Sequence, residues 1–79
     1  MENITSYNGI DFTDFLNNIN LLYSDASEAS SKGDGQSVQN CLTMAFGMKS
    51  AFISLFGDKF DIVKNPYSKE KEYVVIVEL

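Results

Sequence analysis

The sequence predicts an α+β fold, a small chain ordered β-α-α-β-β with two antiparallel helices packed on one face of a two- or three-stranded antiparallel sheet. Three observations carry that expectation. Residues 12–30 and 36–56 repeat their apolar side chains with a helical period. Glu72 to Leu79 reads EYVVIVEL, rich in the β-branched residues that favour strands. Between the two helical patterns, Ser27 to Gly35 (SEASSKGDG) is small, polar and twice punctuated by glycine, which marks a turn.

In chain order, Asn3 to Tyr7 (NITSY) is expected to pair beside the C-terminal strand as a third strand. The first helix follows over about residues 12–30, with Asp11 or Thr13 as its N-cap and Asp11 with Asp14 as a weak capping arrangement. At 100° per residue, Phe12, Phe15, Leu16, Ile19, Leu22, Tyr23 and Ala26 fall within an arc of roughly 120°, one buried face. The second helix is expected over about residues 36–56 with Asp34 as N-cap. Its apolar residues, from Val38 and Cys41 to Leu55 and Phe56, cover about 200° of the circumference, and Lys49 is its only charge. A helix so apolar is expected to be central, with neighbours on more than one side. Gly57 supplies its stop. The remainder, about residues 59–79, reads as a hairpin: KFDIV, a charge-mixed loop KNPYSKEK, and the last strand. In that strand Tyr73, Val75, Val77 and Leu79 face one way and Val74 and Ile76 the other, as expected of a central strand or one covered by another molecule.

A chain of 79 residues is expected to form a single compact domain over 1–79. A core of that size is limited, and such domains often need a disulfide, a metal or a second chain. With one cysteine, Cys41, and no histidine, the first two are not expected and a partner subunit is. MENITSY has no basic segment followed by an apolar run, so no signal peptide is expected, and a lone cysteine fits a reducing, cytoplasmic setting. No apolar run approaches the ~20 residues that span a bilayer, so no membrane partner is expected. With net charge −5 and no arginine, direct nucleic-acid binding is not expected either.

Nothing in the sequence argues for catalysis, and no catalytic residue, cofactor or metal is assigned. Histidine, the commonest general base near neutral pH, is absent. Cys41 falls among apolar positions and reads as a small core hydrophobe; Met44 and Met48 read as core filler. GDGQSV resembles a phosphate-binding loop only superficially: it follows a helix, lacks the lysine, and contains Asp34. The carboxylate pairs Asp58 and Asp61, and Glu70 and Glu72, fit no calcium-loop spacing and lie beside lysines.

The informative surface is acidic. Residues 1–31 hold five acids and no lysine, whereas 32–79 hold six of each, so the whole net charge sits in the N-terminal third. Asp11, Asp14, Asn18, Asp25 and Glu28 fall within about 100° on the side of the first helix away from its core face, around an apolar Leu21. A solvated face usually mixes both signs, since opposite charges four residues apart support a helix. Aligned carboxylates can imitate phosphates and attract a basic cleft. These six residues are therefore the expected partner-binding site, and the expected partner is a larger protein with a basic surface. In size, acidity and cysteine poverty, though in no motif, the chain is similar to accessory inhibitors of phages and mobile elements, including anti-CRISPR proteins and other nucleic-acid mimics. The alternative is a structural or assembly subunit that forms a homodimer or larger homo-oligomer through the apolar second helix and the C-terminal strand. Addition of that strand to a partner's sheet edge is a third route.

Overall fold

The computed structural model describes residues 2–64 and 73–79. Seven elements and one 3₁₀ turn follow in order: β1 (Glu2–Ile4), β2 (Ser6–Tyr7), β3 (Ile10–Asp11), α1 (Thr13–Ser31), α2 (Gly35–Phe56), the 3₁₀ turn Gly57–Lys59, β4 (Phe60–Lys64) and β5 (Val74–Glu78). The architecture is α+β, as the sequence predicts, with two helices against an antiparallel sheet. Strand order is β1-β5-β4. The predicted hairpin loop after Lys64, which itself belongs to β4, lies outside the described residues, as do Glu70 and Glu72.

The expected N-terminal strand over residues 3–7 divides in two. Glu2 to Ile4 pairs with β5, placing Ile4 opposite Ile76, and the chain then bends at Thr5. Ser6–Tyr7 instead pairs with Ile10–Asp11 in a separate hairpin closed by Asn8 (φ 50°) and Gly9 (φ 79°). Positive φ at both central residues is what a tight two-residue hairpin turn requires, and Asn-Gly supplies it at least cost. The Phe12 N–H donates to the Thr5 carbonyl at 2.7 Å, so the hairpin delivers Phe12 into the core just as α1 begins.

All seven residues predicted for the inner face of α1 are buried or half-buried. The turn to α2 rests on Gly33 (φ 73°): its N–H donates to the Ser30 carbonyl and the Asp34 N–H to the Ala29 carbonyl, at 3.1 and 2.9 Å. Those two bonds satisfy carbonyls that the end of a helix otherwise leaves open. Asp34 then caps α2, its carboxylate accepting from the Ser37 N–H at 3.2 Å and from the Ser37 hydroxyl at 2.7 Å.

Phe12, Leu16, Ile19, Phe52, Phe60, Ile62, Val74 and Ile76 form the core between helices and sheet. Five of the six phenylalanines meet there. Phe12 lies edge-on to Phe52 and Phe56 at 5.2 and 5.1 Å between centroids, and Phe15 stacks on Phe52 at 5.1 Å. β5 is the central strand, and Val75 and Val77, on the face away from Val74 and Ile76, are buried as well.

One expectation is overturned. α2 is not covered on more than one side: Ala45 and Phe52 are its only buried residues, while Met48 and Phe56 pack part-way into the core. Met44, expected as core filler, is exposed, and Cys41 is half-buried. The reason is dimensional. A helix of 22 residues is about 33 Å long, whereas strands of five residues reach about 17 Å, so among the described residues much of α2 has only α1 beside it.

Candidate functional site

The acidic surface is built by the register of α1. Phe15, Leu16 and Ile19 fix which way the helix faces, and that choice turns Asp14, Asn18, Leu21, Asp25 and Glu28 outward, where all five are exposed. Leu21 is 59 % exposed, an apolar side chain in the middle of the row. Asp14 and Asp25 are about 16 Å apart along the helix axis, and neither makes an ion pair within the described residues.

Two members of the predicted set differ from the others. Asp11 is not on the helix; it ends β3, and its Oδ1 accepts the Thr13 N–H at 2.8 Å. Hydrogen bonds from the Thr13 side chain, then from its N–H, hold the Asp11 carboxyl below its ordinary range. The N-cap is Phe12, not Asp11 or Thr13 as expected, and it makes no side-chain cap bond; Asp11 instead holds the N–H of the first helical residue from one position earlier. Glu28 accepts from Lys32 Nζ at 3.1 Å, an exposed pair at i,i+4 spacing. The opposite charge that the sequence reading finds missing is present at this one end, because α1 runs on to Ser31 and brings Lys32 into range.

The side of α2 that adjoins this row is apolar. Asp25 and Glu28 share a surface depression with Ser37, which places the Ser37 side of α2 next to the acidic side of α1. At 100° per residue, Ser37, Met44 and Leu55 lie on nearly one line of the helix. Met44 and Leu55 are among its most exposed side chains, Leu55 at 79 %. Leu42, Phe46 and Ile53 form a second exposed apolar line on the opposite flank, with Phe46 at 71 %. Residue type alone revealed neither line, because both sit within the arc that reads as core.

Asn20 also escaped the sequence reading. It is the one buried polar residue among those described, and it ties α1 to the start of β5. No group of three or more His, Cys, Asp or Glu side chains among the described residues is placed to hold a metal ion. No helix there is long and apolar enough to cross a membrane.

Comparison with family models, with curated proteins and with solved structures finds no match. The functional reading therefore rests on the surfaces themselves.

Proposed function

We propose that the chain is a non-enzymatic, acidic protein-binding module, an inhibitor or adaptor. The outer face of α1 occupies a basic, nucleic-acid-binding site on a larger protein, as phage and mobile-element anti-defence proteins of the anti-CRISPR kind do. The observation that carries this reading is the exposed row Asp14, Leu21 and Asp25, two carboxylates without ion pairs among the described residues and an apolar contact between them. Their separation of about 16 Å matches roughly five phosphate steps measured along a duplex axis at 3.4 Å per strand step. The adjoining Met44 and Leu55 add apolar area, so the best-fitting partner surface is basic with apolar contacts at its edge.

The test is capture of partners from a host lysate at low and high salt, with the wild type and an Asp14→Lys, Asp25→Lys variant. Binding of a basic partner that weakens with salt and is abolished by the double reversal supports the reading. A partner held equally by both proteins removes it.

A second reading, homo-oligomerisation through α2, is favoured by the exposed Leu42, Phe46 and Ile53. Exposed apolar lines of this kind are commonly covered by another chain. The two readings are compatible, since a dimer would present the acidic row twice.

A further inference from the structure

Away from the acidic row, a cavity of about 410 Å³ opens between the helices and the adjacent ends of β4 and β5. α1 contributes Tyr23, Ala26 and Ser27 to its lining, α2 contributes Lys49, β4 contributes Lys64, and Val74 and Tyr73 come from the start of β5 and the residue before it. The wall is firmly held. Asn20 binds the Tyr73 N–H and both backbone groups of Val74, and the Tyr23 and Tyr73 rings lie 6.4 Å apart and within 26° of parallel.

Among the described residues, the charges at this cavity run against those of the chain. Four lysines fall among the described residues. Lys32 is paired with Glu28, and Lys59 lies 5.6 Å from the centroid of the Tyr7 ring. The other two, Lys49 and Lys64, make no ion pair within the described residues and both line this cavity, to which no carboxylate contributes among the described residues. Two ammonium groups brought to one partly enclosed space repel each other, and an anion between them reverses the sign of that interaction. Lysine stems and tyrosine rings meanwhile offer apolar walls below the charged tips.

We propose that this cavity binds a small organic anion with a flat apolar body. The body lies against Tyr23, Ala26 and Tyr73, a carboxylate or phosphate sits between Lys49 and Lys64, and the Ser27 hydroxyl is a further donor. The volume lies toward the lower end of the range of roughly 300–1,000 Å³ seen for ligand pockets, which suits an aryl acid or aryl phosphate better than a dinucleotide. The site is independent of the outer face of α1.

The experiment is an NMR titration of the ¹⁵N-labelled chain with phenyl phosphate, benzoate, inorganic phosphate and neutral benzamide. Phenyl phosphate or benzoate is expected to shift the amides of Ser27, Lys49 and Val74 and to bind at least about tenfold more tightly than benzamide, because the anion gains charge-assisted hydrogen bonds. Inorganic phosphate, which lacks the apolar body, is expected to bind more weakly than phenyl phosphate. Lys49→Met and Lys64→Met should each weaken binding by about tenfold, on the scale of one charge-assisted bond lost. If either methionine disturbs the remaining amides, Lys49→Gln and Lys64→Gln repeat the measurement with a polar stem. The proposal is overturned by equal affinity for benzamide, by undiminished binding in the double variant, by shifts confined to the exposed Leu42 and Phe46 line, or by no binding of either aryl anion.

Discussion

The side chain of Asn20 binds both backbone groups of Val74: Nδ2 donates to the Val74 carbonyl at 3.2 Å, and Oδ1 accepts the Val74 N–H at 2.8 Å. Oδ1 also accepts the Tyr73 N–H. Val74 has a strand partner in Lys64 on the β4 edge, but β1 stops pairing with β5 at Ile76. The carboxamide thus serves where a further residue of β1 would have paired. An amide carries one donor group and one acceptor, as a peptide unit does, so it completes the ladder at little cost in unsatisfied polar groups.

Replacing Asn20 therefore leaves three backbone groups without partners in a largely buried place. Asn20→Ala is expected to destabilise the fold by about 2–4 kcal/mol. That is a large share of the roughly 4–12 kcal/mol expected for a chain of this size. Asn20→Leu, which restores apolar volume but no hydrogen bond, should recover little. Chemical denaturation of the three proteins checks this; a leucine variant as stable as the wild type would show that packing alone holds α1 to β5.

The N-terminal hairpin gives a second expectation. Gly9 has φ 79°, and a Cβ built there meets nothing within 4 Å, so any cost of substitution comes from the backbone alone. Gly9→Ala should lower stability by about 1 kcal/mol, the scale of left-handed strain in a residue with a side chain. The hairpin holds Tyr7 edge-on to Phe60 at 4.9 Å. Ring-current shifts of Tyr7 and Phe60 should therefore weaken in the variant, whereas those of Phe15 and Phe52 should not.

These two sites show where the sequence was legible. The inner face of α1 could be read in full, because a helical period depends only on residues within a few turns. Asn8-Gly9 is itself a hairpin signal, but strands of two residues are too short to show alternation on either side of it. Asn20 was not legible: projection places it near Leu16 and Tyr23, yet its partners lie more than fifty residues onward at a strand end. The exposure of α2 was unreadable for a related reason. Its composition reports which side chains are apolar, while the length of β4 and β5 decides how many are covered. Within the candidate site, Asp14, Asp25 and Glu28 are exposed on the side of α1 that the projection gives, whereas Asp11 lies before the helix. Lys32 was missed as the partner of Glu28 because the expected helix stopped one residue short.

The carboxylates at the helix starts, Asp34 at the cap of α2 and Asp11 just before α1, predict a pH dependence. Hydrogen bonds from the Ser37 hydroxyl, and then its N–H, lower the carboxyl pKa of Asp34 from its ordinary value of 3.8; at Asp11 the Thr13 bonds act in the same direction. A folded-state pKa below the unfolded one means that the stabilisation is complete above the unfolded value and is lost as pH falls through the folded one. Thermal stability should therefore decline below about pH 4, near the unfolded-state carboxylate value. In Asp34→Asn, which keeps an accepting oxygen at the cap but no titrating group, that acid-side decline should be shallower. Melting curves between pH 2 and 7 decide it, and identical slopes in the two proteins would exclude Asp34 as a source.

The last expectation separates surface from core on a single helix. Phe46 and Phe52 lie six residues apart in α2, one 71 % exposed and the other buried in the aromatic cluster. Phe52→Ala should cost about 3–5 kcal/mol, as truncation of a buried aromatic does. A Leu42→Ser, Phe46→Ser double variant should stay within about 0.5 kcal/mol per site of the wild-type monomer, since exposed side chains contribute little to folding. If the second apolar line mediates self-association, that same variant shifts the monomer–oligomer equilibrium toward monomer in a sedimentation series across protein concentration. Asp14→Lys with Asp25→Lys should leave that equilibrium in place, because the acidic row lies beside the Met44 and Leu55 line on the other flank. A wild type that sediments as a monomer at the highest concentration would remove the homo-oligomer reading and leave the acidic row as the operative surface.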